Sequence, residues 1–320
     1  MIFSRISGTG SYLPEKVLTN ADLERMVDTT DQWIVERTGI RRRHIAADHE
    51  TSSSMAEMAA RKALEAAQLP AEKIDLIIVA TTTPDYTFPS TACVLQSRLG
   101  IAGCPAFDLT AACAGFSYGL SIADQYIKNG TAKNVLVVGS ELISRFLDWT
   151  DRSTCVLFGD GAGAVILSAS HEPGIHSTHL HANGQLKDLL YVPTGLPARP
   201  QDYVRPTVKM QGNELFRVVI NILGQIIDET LTVNGIDQHK IDWLIPHQAN
   251  IRIIQAVAKK LDISMEKVIV TIEEHGNTSA ASIPLALDYG IRQNRIKRGE
   301  TMLFEGFGGG MAWGSALITY

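Results

Sequence analysis

Only four cysteines occur in the 320-residue chain, Cys93, Cys104, Cys113 and Cys155, and no two stand at C-x-x-C spacing. That count and spacing argue against a structural zinc site and a disulfide framework, so each thiol is either packing or chemistry. Long apolar runs are missing too, since no stretch approaches the ~18 consecutive apolar residues of a membrane span. An excess of positive charge is absent: 29 Lys and Arg stand against 34 Asp and Glu, a net charge of −5. Nucleic acid is therefore not the expected partner, because phosphate binding calls for a basic domain or stripe. The opening residues, MIFSRISGTG, show no basic segment followed by an apolar one, so a cytoplasmic location is the expectation.

What is present is a chain that is 45% hydrophobic and long enough to bury a large core without staples. Short β-branched runs, Ile74–Thr82, Asn134–Ser140 and Gly163–Ala169, suit strands buried on both faces of a sheet. Helical patterns lie between them. Met55–Leu69 is rich in Ala, Leu and Glu and follows a run of serines able to cap it. Phe116, Leu120, Ala123 and Ile127 form one stripe at helical spacing, as do Phe216, Ile220, Leu223, Ile227 and Leu231. Strand–helix alternation predicts an α/β fold with a mainly parallel sheet.

The pattern also recurs at about half the chain length. KIDLIIVATTT (from Lys73) is matched by KIDWLIPHQAN (from Lys240), and SRLGI (from Ser97) by KKLDI (from Lys259). A small-residue turn follows in each half, AACAGF and HGNTSAAS, and then a Gly-rich turn with an apolar run, FGDGAGAVILS and FGGGMAWGSALIT. Four pairs in the same order predict two related halves rather than a solenoid of short repeats. Residues 1–171 form the first and carry Cys113; residues 172–320 form the second and carry His247 and Asn277. The Gly- and Pro-containing stretch Glu172–Val208 reads as a linker with loops over a site. A pseudo-twofold relation would bring the Cys113 and Asn277 turns face to face, with the strand end carrying His247 close by.

Cys113 stands between Ala111–Ala112 and Ala114–Gly115, after the predicted strand PAFDLT and before a helix. Small neighbours permit a tight turn and close approach of a substrate. A helix N-terminus favours a thiolate. A buried cysteine in a small-residue crossing is the plainer alternative. His247, in LIPHQAN, ends a predicted strand on the side where open α/β sheets bind ligands, although a hydrogen-bonded structural histidine would also sit there. His275, Asn277, Thr278 and Ser279 share a second turn, for which an ordinary N-cap is the simple reading. Cys, His and Asn can form a papain-like site, in which His takes the thiol proton. They can also form a thioester site, in which the thiol carries an acyl group while His and Asn donate to a thioester carbonyl. The position of Cys113 deep in an α/β repeat favours the second.

Gly306, Gly308, Gly309 and Gly310 in EGFGGGMAWGS let backbone approach a ligand closely, and an N–H there can share an oxyanion hole with that of Cys113. GDGAGA (Gly159–Ala164) precedes an apolar strand-like run, which fails the context of a dinucleotide loop. His179 and His181 would share a strand face, with His176 nearby, but no carboxylate or cysteine in the sequence completes a metal set. Arg252, Lys259 and Lys260 fall on one predicted helix, either as a solvated face or as a spot for an acidic partner.

Taken together, AACAGF, PHQAN, HGNTSAAS and GFGGG, in this order along the whole chain, resemble the β-ketoacyl-acyl-carrier-protein synthase III family of thiolase-like condensing enzymes. The resemblance implies a five-layered αβαβα fold of two similar halves and a homodimer. It implies that Cys113 takes the acyl group of an acyl-CoA, typically acetyl-CoA, and that His247 and Asn277 then bind the thioester carbonyl of malonyl-acyl-carrier protein during decarboxylation. Gly309 with Cys113 would hold the oxyanion, and Phe307 would wall the site. Thr29, Trp33, Arg37, Arg152, Gly212, Phe216, Ala249 and Asn250 match the family's CoA tunnel, with Trp33 stacking on adenine. Phe88 matches the residue that closes the acyl pocket across the dimer. Arg252, Lys259 and Lys260 match the carrier-protein docking face. No cofactor or metal is implied, CoA being a substrate, and neither nucleic acid nor membrane is a partner. Trp149 and Ser153 in DWTDRST depart from the family's usual form near the tunnel mouth. A degradative thiolase would want a second, late cysteine, and none follows Cys155. A plant-type polyketide synthase, a cysteine amidase and a non-catalytic carrier-binding scaffold are the other readings. Primer length depends on Phe88 and on loops between Gly184 and Val208.

Overall fold

In the run NVLVVGSEL, Val135 and Val137 point to one side while Leu136 and Val138 point to the other, and all four are fully buried. A strand covered on both faces has to lie inside a layered α/β fold. A computed structural model of the chain describes residues 2–193, 203 and 205–320. The connection Gly184–Val208, expected from the sequence to set pocket depth, lies partly outside them.

The first half runs β1 (Phe3–Tyr12), β2 (Lys16–Thr19), α1 (Asn20–Glu24), α2 (Asp31–Thr38), β3 (Arg42–Ile45), α3 (Ser52–Ala67), β4 (Leu76–Ala80), α4 (Thr91–Arg98), β5 (Ala106–Leu109), α5 (Gly115–Lys128), β6 (Asn134–Leu142) and β7 (Asp160–Ser170). The second runs β8 (Ile175–Ala182), β9 (Leu190–Tyr191), β10 (Lys209–Met210), α6 (Gly212–Asn234), β11 (Trp243–Pro246), α7 (Ile251–Lys260), α8 (Ile272–His275), α9 (Ser282–Arg292), β12 (Thr301–Gly308) and β13 (Ala312–Thr319).

One sheet has the order β1-β7-β6-β4-β5 and the other β11-β12-β13-β8. They share one pattern. β4 and β6 are parallel, as are β11 and β12; β6–β7–β1 and β12–β13–β8 are antiparallel. A parallel bridge from Leu244 to Val268 stands where β5 stands beside β4. The core layers follow. α3 and α4 cover the outer face of the first sheet with Met55, Ala59, Ala63 and Leu95. α5 and α9 lie between the sheets with Phe116, Leu120, Ile283 and Leu287. α6 and α7 cover the second sheet with Val219, Leu223, Ile254 and Val257. This is the five-layered αβαβα fold of two similar halves, and the stripe read on α5 is the one that packs between the sheets.

Two local expectations change. α3 is capped by Thr51, not by the serines: its hydroxyl accepts from Ser54 N–H while Ser54 reaches back to the Thr51 N–H, so the serines form the first turn. On α6 the buried line is Leu215, Val219, Ile222, Ile226 and Thr230. Leu223 and Ile227 of the expected stripe are buried, but Phe216, Ile220 and Leu231 are only partly so, and Phe216 turns to line a cavity instead. GDGAGA is likewise no loop, because β7 begins at Asp160.

Glu305 sits on β12 on the same face as Leu303 and Phe307, with 1% of its surface exposed. Both its carboxyl oxygens are buried without a hydrogen-bond partner among the described residues. Burial pushes its pKa up to about 8. The folded chain therefore holds a proton that the unfolded chain releases near the ordinary carboxylate pKa. The stability this group lends is present in acid and is lost as pH climbs to about 8. In thermal melts, raising the pH from about 6 to about 9 should cost Glu305→Gln roughly 2 kcal/mol less than the wild type. Equal losses in both proteins would show that Glu305 does not titrate in the fold.

Candidate active site

β5 delivers the chain into a single 3₁₀ turn, Ala112–Ala114, from which α5 starts at Gly115. Ala112 takes φ 46°, a left-handed conformation that excludes bulky β-branched residues. The small neighbours serve packing as well as access. A Cβ on Gly308 would stand 2.4 Å from the Cys113 nitrogen, and one on Gly115 would stand 3.0 Å from the Ala80 Cβ. Cys113 itself is 6% exposed. Burial pushes its pKa up to about 12, with the Ser279 hydroxyl opposing and Glu141 adding to the rise. Against the thiolate expected from the helix N-terminus, removal from water favours the uncharged form, and the group waits as a thiol.

His247 follows β11, its N–H donating to the Glu305 carbonyl at 2.7 Å. Nδ1 lies 2.6 Å from the Ser282 hydroxyl, which also accepts from Gln248 N–H at 3.3 Å. With Ser282 donating to Nδ1, the ring proton is assigned to Nε2. The ring meets Phe307 edge-on, with centroids 5.2 Å apart. Burial alone pulls its pKa down to about 3, so the imidazole is neutral. Gln248, from the same polar cluster, is a staple: its amide donates to Pro246 and Ile269 carbonyls and accepts from Thr271 and Ile272 N–H groups.

Asn277, from the same half as His247, is reached through Gly276, at φ 66°. Its backbone exchanges bonds with Leu157 and Gly159, at 2.9 and 3.0 Å. Its Oδ1 accepts from Ser279 N–H at 2.9 Å, which orients the amide and leaves the NH₂ end as the donor without a partner among the described residues. Ser279 takes φ 51° at the head of its own 3₁₀ turn, as Ala112 does in the first half. The two turns are neighbours: a Cβ on Gly115 would stand 3.6 Å from the Ala280 Cβ.

A cavity of about 380 Å³ is lined by Cys113, His247, Asn277 and Phe307 together. Trp33, Arg37, Gly212, Phe216, Ala249, Asn250 and Arg252 line the same cavity. Thr29 and Arg152 do not. The Thr29 hydroxyl is buried without a partner among the described residues, and Arg152 lies outside, its guanidinium 5.5 Å over the Trp33 ring and donating to the Asp28 carbonyl. Asn250 has little amide to spare, since it caps α7 at Arg252 N–H and donates to the Arg37 carbonyl. Asn213 and Arg217 line the cavity and escaped the sequence reading, being ordinary polar positions on α6.

A second cavity, about 490 Å³, also reaches Cys113 and is walled by Ile143, Phe146, Phe158, Leu190, Val192 and Val208, with Gly309 and Ser279 in its lining too. Phe88 lines neither; it is 84% exposed on the loop before α4. Of the basic trio, Arg252 covers the Phe216 ring at 5.3 Å, Lys259 is exposed, and Lys260 pairs with Asp228 at 2.9 Å. A carboxylate does join His179 and His181, contrary to the sequence reading: Glu229 on α6 bonds both, at 3.1 and 2.7 Å. Nevertheless no metal-holding group is present among the described residues.

Glu141, near the end of β6, was not legible as a site residue, although it is the one charge in an apolar run. It is fully buried beside the Cys113 and Ser279 turns. Its carboxyl accepts from Thr82 N–H and from the hydroxyls of Thr82, Thr83 and Ser279. Among the described residues no helix is long and apolar enough to cross a membrane.

Residues 107–184 match the family model described as 3-oxoacyl-[acyl-carrier-protein] synthase III, and residues 231–320 match the model of its C-terminal part. A Methylococcus capsulatus protein named beta-ketoacyl-[acyl-carrier-protein] synthase III is 61% identical over 318 residues, 99% of each chain. The crystal structure of 3-oxoacyl-[acyl-carrier-protein] synthase III from Aquifex aeolicus superposes with a TM-score of 0.94 at 49% identity, covering 99% of this chain and 100% of that one. The priming β-ketosynthase of the R1128 polyketide pathway gives 0.94 at 37% identity, covering 99% and 96%.

The close approach of Gly308 to Cys113 can be tested directly. Gly308→Ala should lower folding stability by about 1–3 kcal/mol in a denaturant melt, whereas Gly184→Ala, with nothing within 4 Å of the added carbon, should leave it unchanged. Equal melts would mean that the Cys113 turn yields freely.

Proposed function

The chain belongs to the 3-oxoacyl-[acyl-carrier-protein] synthase III family, and from that premise we propose how its residues share the work. It is an acyltransferase that condenses acetyl-CoA or another acyl-CoA with malonyl-acyl-carrier protein to a 3-ketoacyl-carrier protein, the opening step of type II fatty acid synthesis. Cys113 attacks the acyl-CoA carbonyl from the first cavity, and the acyl group settles in the second, apolar one. CoA departs along Trp33, Arg37 and Phe216. The malonyl thioester then occupies the vacated cavity with its carbonyl facing His247 Nε2–H and the Asn277 amide. Loss of carbon dioxide puts negative charge on that oxygen, where both donors already point, and the enolate carbon attacks the acyl-Cys113 carbonyl. The N–H groups of Cys113 and Gly309 hold the second oxyanion.

The observation that carries this reading is the cavity lined in common by Cys113, His247 and Asn277, with a second cavity that also reaches Cys113. Burial suits the assignment. A neutral imidazole donates without giving up its proton, and a water-poor site strengthens each donor. No other cysteine lines either cavity, which separates this site from a two-cysteine thiolase. CoA enters as a substrate, and the sequence of steps draws on no cofactor. Residues 1–171 and 172–320 are the two functional halves, the boundary falling in the connection from β7 to β8. Exposed Phe88 and Tyr86 fit a homodimer in which Phe88 of one copy closes the acyl pocket of the other. Arg252, which lines the first cavity, and exposed Lys259 farther along the same helix fit an acidic carrier protein, with Lys260 already engaged by Asp228. A cytoplasmic location accords with these substrates.

Mixing the protein with acetyl-CoA should add one acetyl group to Cys113, read by intact-protein mass spectrometry, and Cys113→Ser should abolish it. No adduct on the wild type would end the reading. His247→Ala and Asn277→Ala should keep most of the acylation while slowing malonyl-carrier decarboxylation by roughly 10²–10³; normal decarboxylation in both would remove their role as carbonyl donors. Because the His247 pKa lies at about 3, the decarboxylation rate should show no histidine inflection between about pH 5 and 8, and one lost in His247→Gln would mean that the ring titrates.

A further inference from the structure

Arg43, on β3, is a buried cation that the chemistry above does not use. It has 0% of its surface exposed, and burying a charge is costly unless an opposite charge meets it. The acceptors around it are neutral. Nη1 donates to Asn20 Oδ1 at 2.8 Å and to the Leu18 carbonyl at 3.2 Å, while Nη2 donates to the Val156 carbonyl at 2.8 Å. Burial pulls its pKa down to about 10, with Cys155 and Asp22 opposing, so it stays a cation at neutral pH. An apolar side chain of similar length would fill the space without that cost. What arginine alone supplies is a rigid fork, with donors at fixed angles.

The stretch that the fork reaches is part of the site. Val156, Leu157 and Phe158 line the first cavity, and Phe158 lines the second as well. The same stretch holds the backbone of Asn277. The Asn277 N–H donates to the Leu157 carbonyl at 2.9 Å, the Gly159 N–H donates to the Asn277 carbonyl at 3.0 Å, and Phe158 pairs with Asn277 in a parallel bridge. Arg43 lines neither cavity but lies against this crossing: a Cβ on Gly159, or one on Gly276, would stand 3.1 Å from the Arg43 Cβ. Its neighbours tie β3 along the segment leading to Asn277. The Arg41 N–H donates to the Glu273 carbonyl at 2.9 Å, Arg42 pairs with Glu274 at 3.0 Å, and the His44 ring meets that of His275 edge-on.

We propose that Arg43 is a positioning residue for the Asn277 amide: its fork fixes residues 156–159 and, through their backbone bonds, the place at which Asn277 meets the thioester carbonyl. Arg43 touches no reacting atom. A donor stabilises developing charge only where it is already held at the right distance and angle, and a carbonyl acceptor left free to drift would let the paired backbone drift with it. The effect is selective, because Asn277 serves decarboxylation and not acylation. This inference rests on that division of labour in the preceding subsection.

The test reads both half-reactions on the same preparations: acetylation of Cys113 by acetyl-CoA, followed by intact-protein mass spectrometry, and release of carbon dioxide from malonyl-acyl-carrier protein. Arg43→Met should slow decarboxylation by roughly tenfold or more with KM for malonyl-acyl-carrier protein unchanged, and should keep acetylation within about threefold of the wild type. In an Asn277→Ala background the same substitution should add less than about a twofold loss, since the group it places is gone. Should Arg43→Met fail to fold, Arg43→Lys carries the test. It keeps the charge, but its ammonium ends about where the guanidinium carbon stands, one bond short of the Val156 carbonyl, and the same selective loss is expected. Decarboxylation at the wild-type rate, equal slowing of both half-reactions, or an undiminished further loss in the Asn277→Ala background would each overturn the proposal and leave Arg43 a structural cation. Normal decarboxylation by Asn277→Ala alone would instead overturn the role of Asn277, and the positioning of it by Arg43 with it.

Discussion

Exclusion of water from one small cavity floor governs this molecule more than any single bond. It lifts the Cys113 pKa to about 12, lowers that of His247 to about 3 and lifts that of Glu141 to about 7. Each shift has burial as its first cause and each favours the uncharged form. The site therefore rests with a thiol and an imidazole rather than an ion pair of thiolate and imidazolium, the arrangement that a papain-like reading of the same three residue types would require. A neutral floor suits chemistry in which charge arises only transiently on oxygen. Donors already fixed in a low-dielectric setting stabilise that charge without reorganising.

Holding such groups together demands rigidity from the backbone, and the paired halves supply it. The Cys113 turn grows out of the first sheet and the Asn277 turn out of the second half, and each is pressed against strands of the other. A Cβ on Gly139 of β6 would stand 2.3 Å from the Ala280 carbonyl oxygen, and one on Gly308 of β12 would stand 2.4 Å from the Cys113 nitrogen. Both glycines are there because another backbone occupies the place of a side chain, not because φ is positive. The left-handed residues are instead Ala112 and Ser279, one in each turn. Small residues around the thiol thus have a dual origin: they admit a substrate, and they let four segments of backbone converge.

Much of this was legible in the amino-acid order. The strand cores, the stripe on α5 and the turns bearing Cys113, His247 and Asn277 all follow from local pattern, because burial on two faces leaves β-branched runs and a tight turn leaves small residues. What escaped shares a physical reason. On α6 the visible periodicity followed hydrophobicity, but Phe216 is apolar for the sake of a cavity and the Arg252 guanidinium rather than the core. Asn250 reads as a ligand-side polar residue, yet its amide is used within the chain. The helix N-terminus at Cys113 promised a thiolate, and only three-dimensional burial shows the desolvation that favours the thiol. Glu141 was hidden because its partners, Thr82, Thr83 and Ser279, lie about 60 and about 140 residues away in the chain.

Two cavities that meet at one sulfur also impose an order on events. On the reading proposed above, each thioester donor comes by way of the cavity lined by Trp33, Arg37 and Phe216, and the acyl tail lies in the one walled by Ile143, Phe146 and Phe158. On that reading primer and extender share one approach and take turns in it. The first donor must leave its acyl group behind and withdraw before the second can reach His247 and Asn277. Storage of the acyl group on Cys113 is what the proposed division of labour between the two cavities requires, and ping-pong kinetics are its expected consequence. In the proposed sequence the enolate forms with the acceptor carbonyl already on Cys113, so the carbanion meets an electrophile before it meets water.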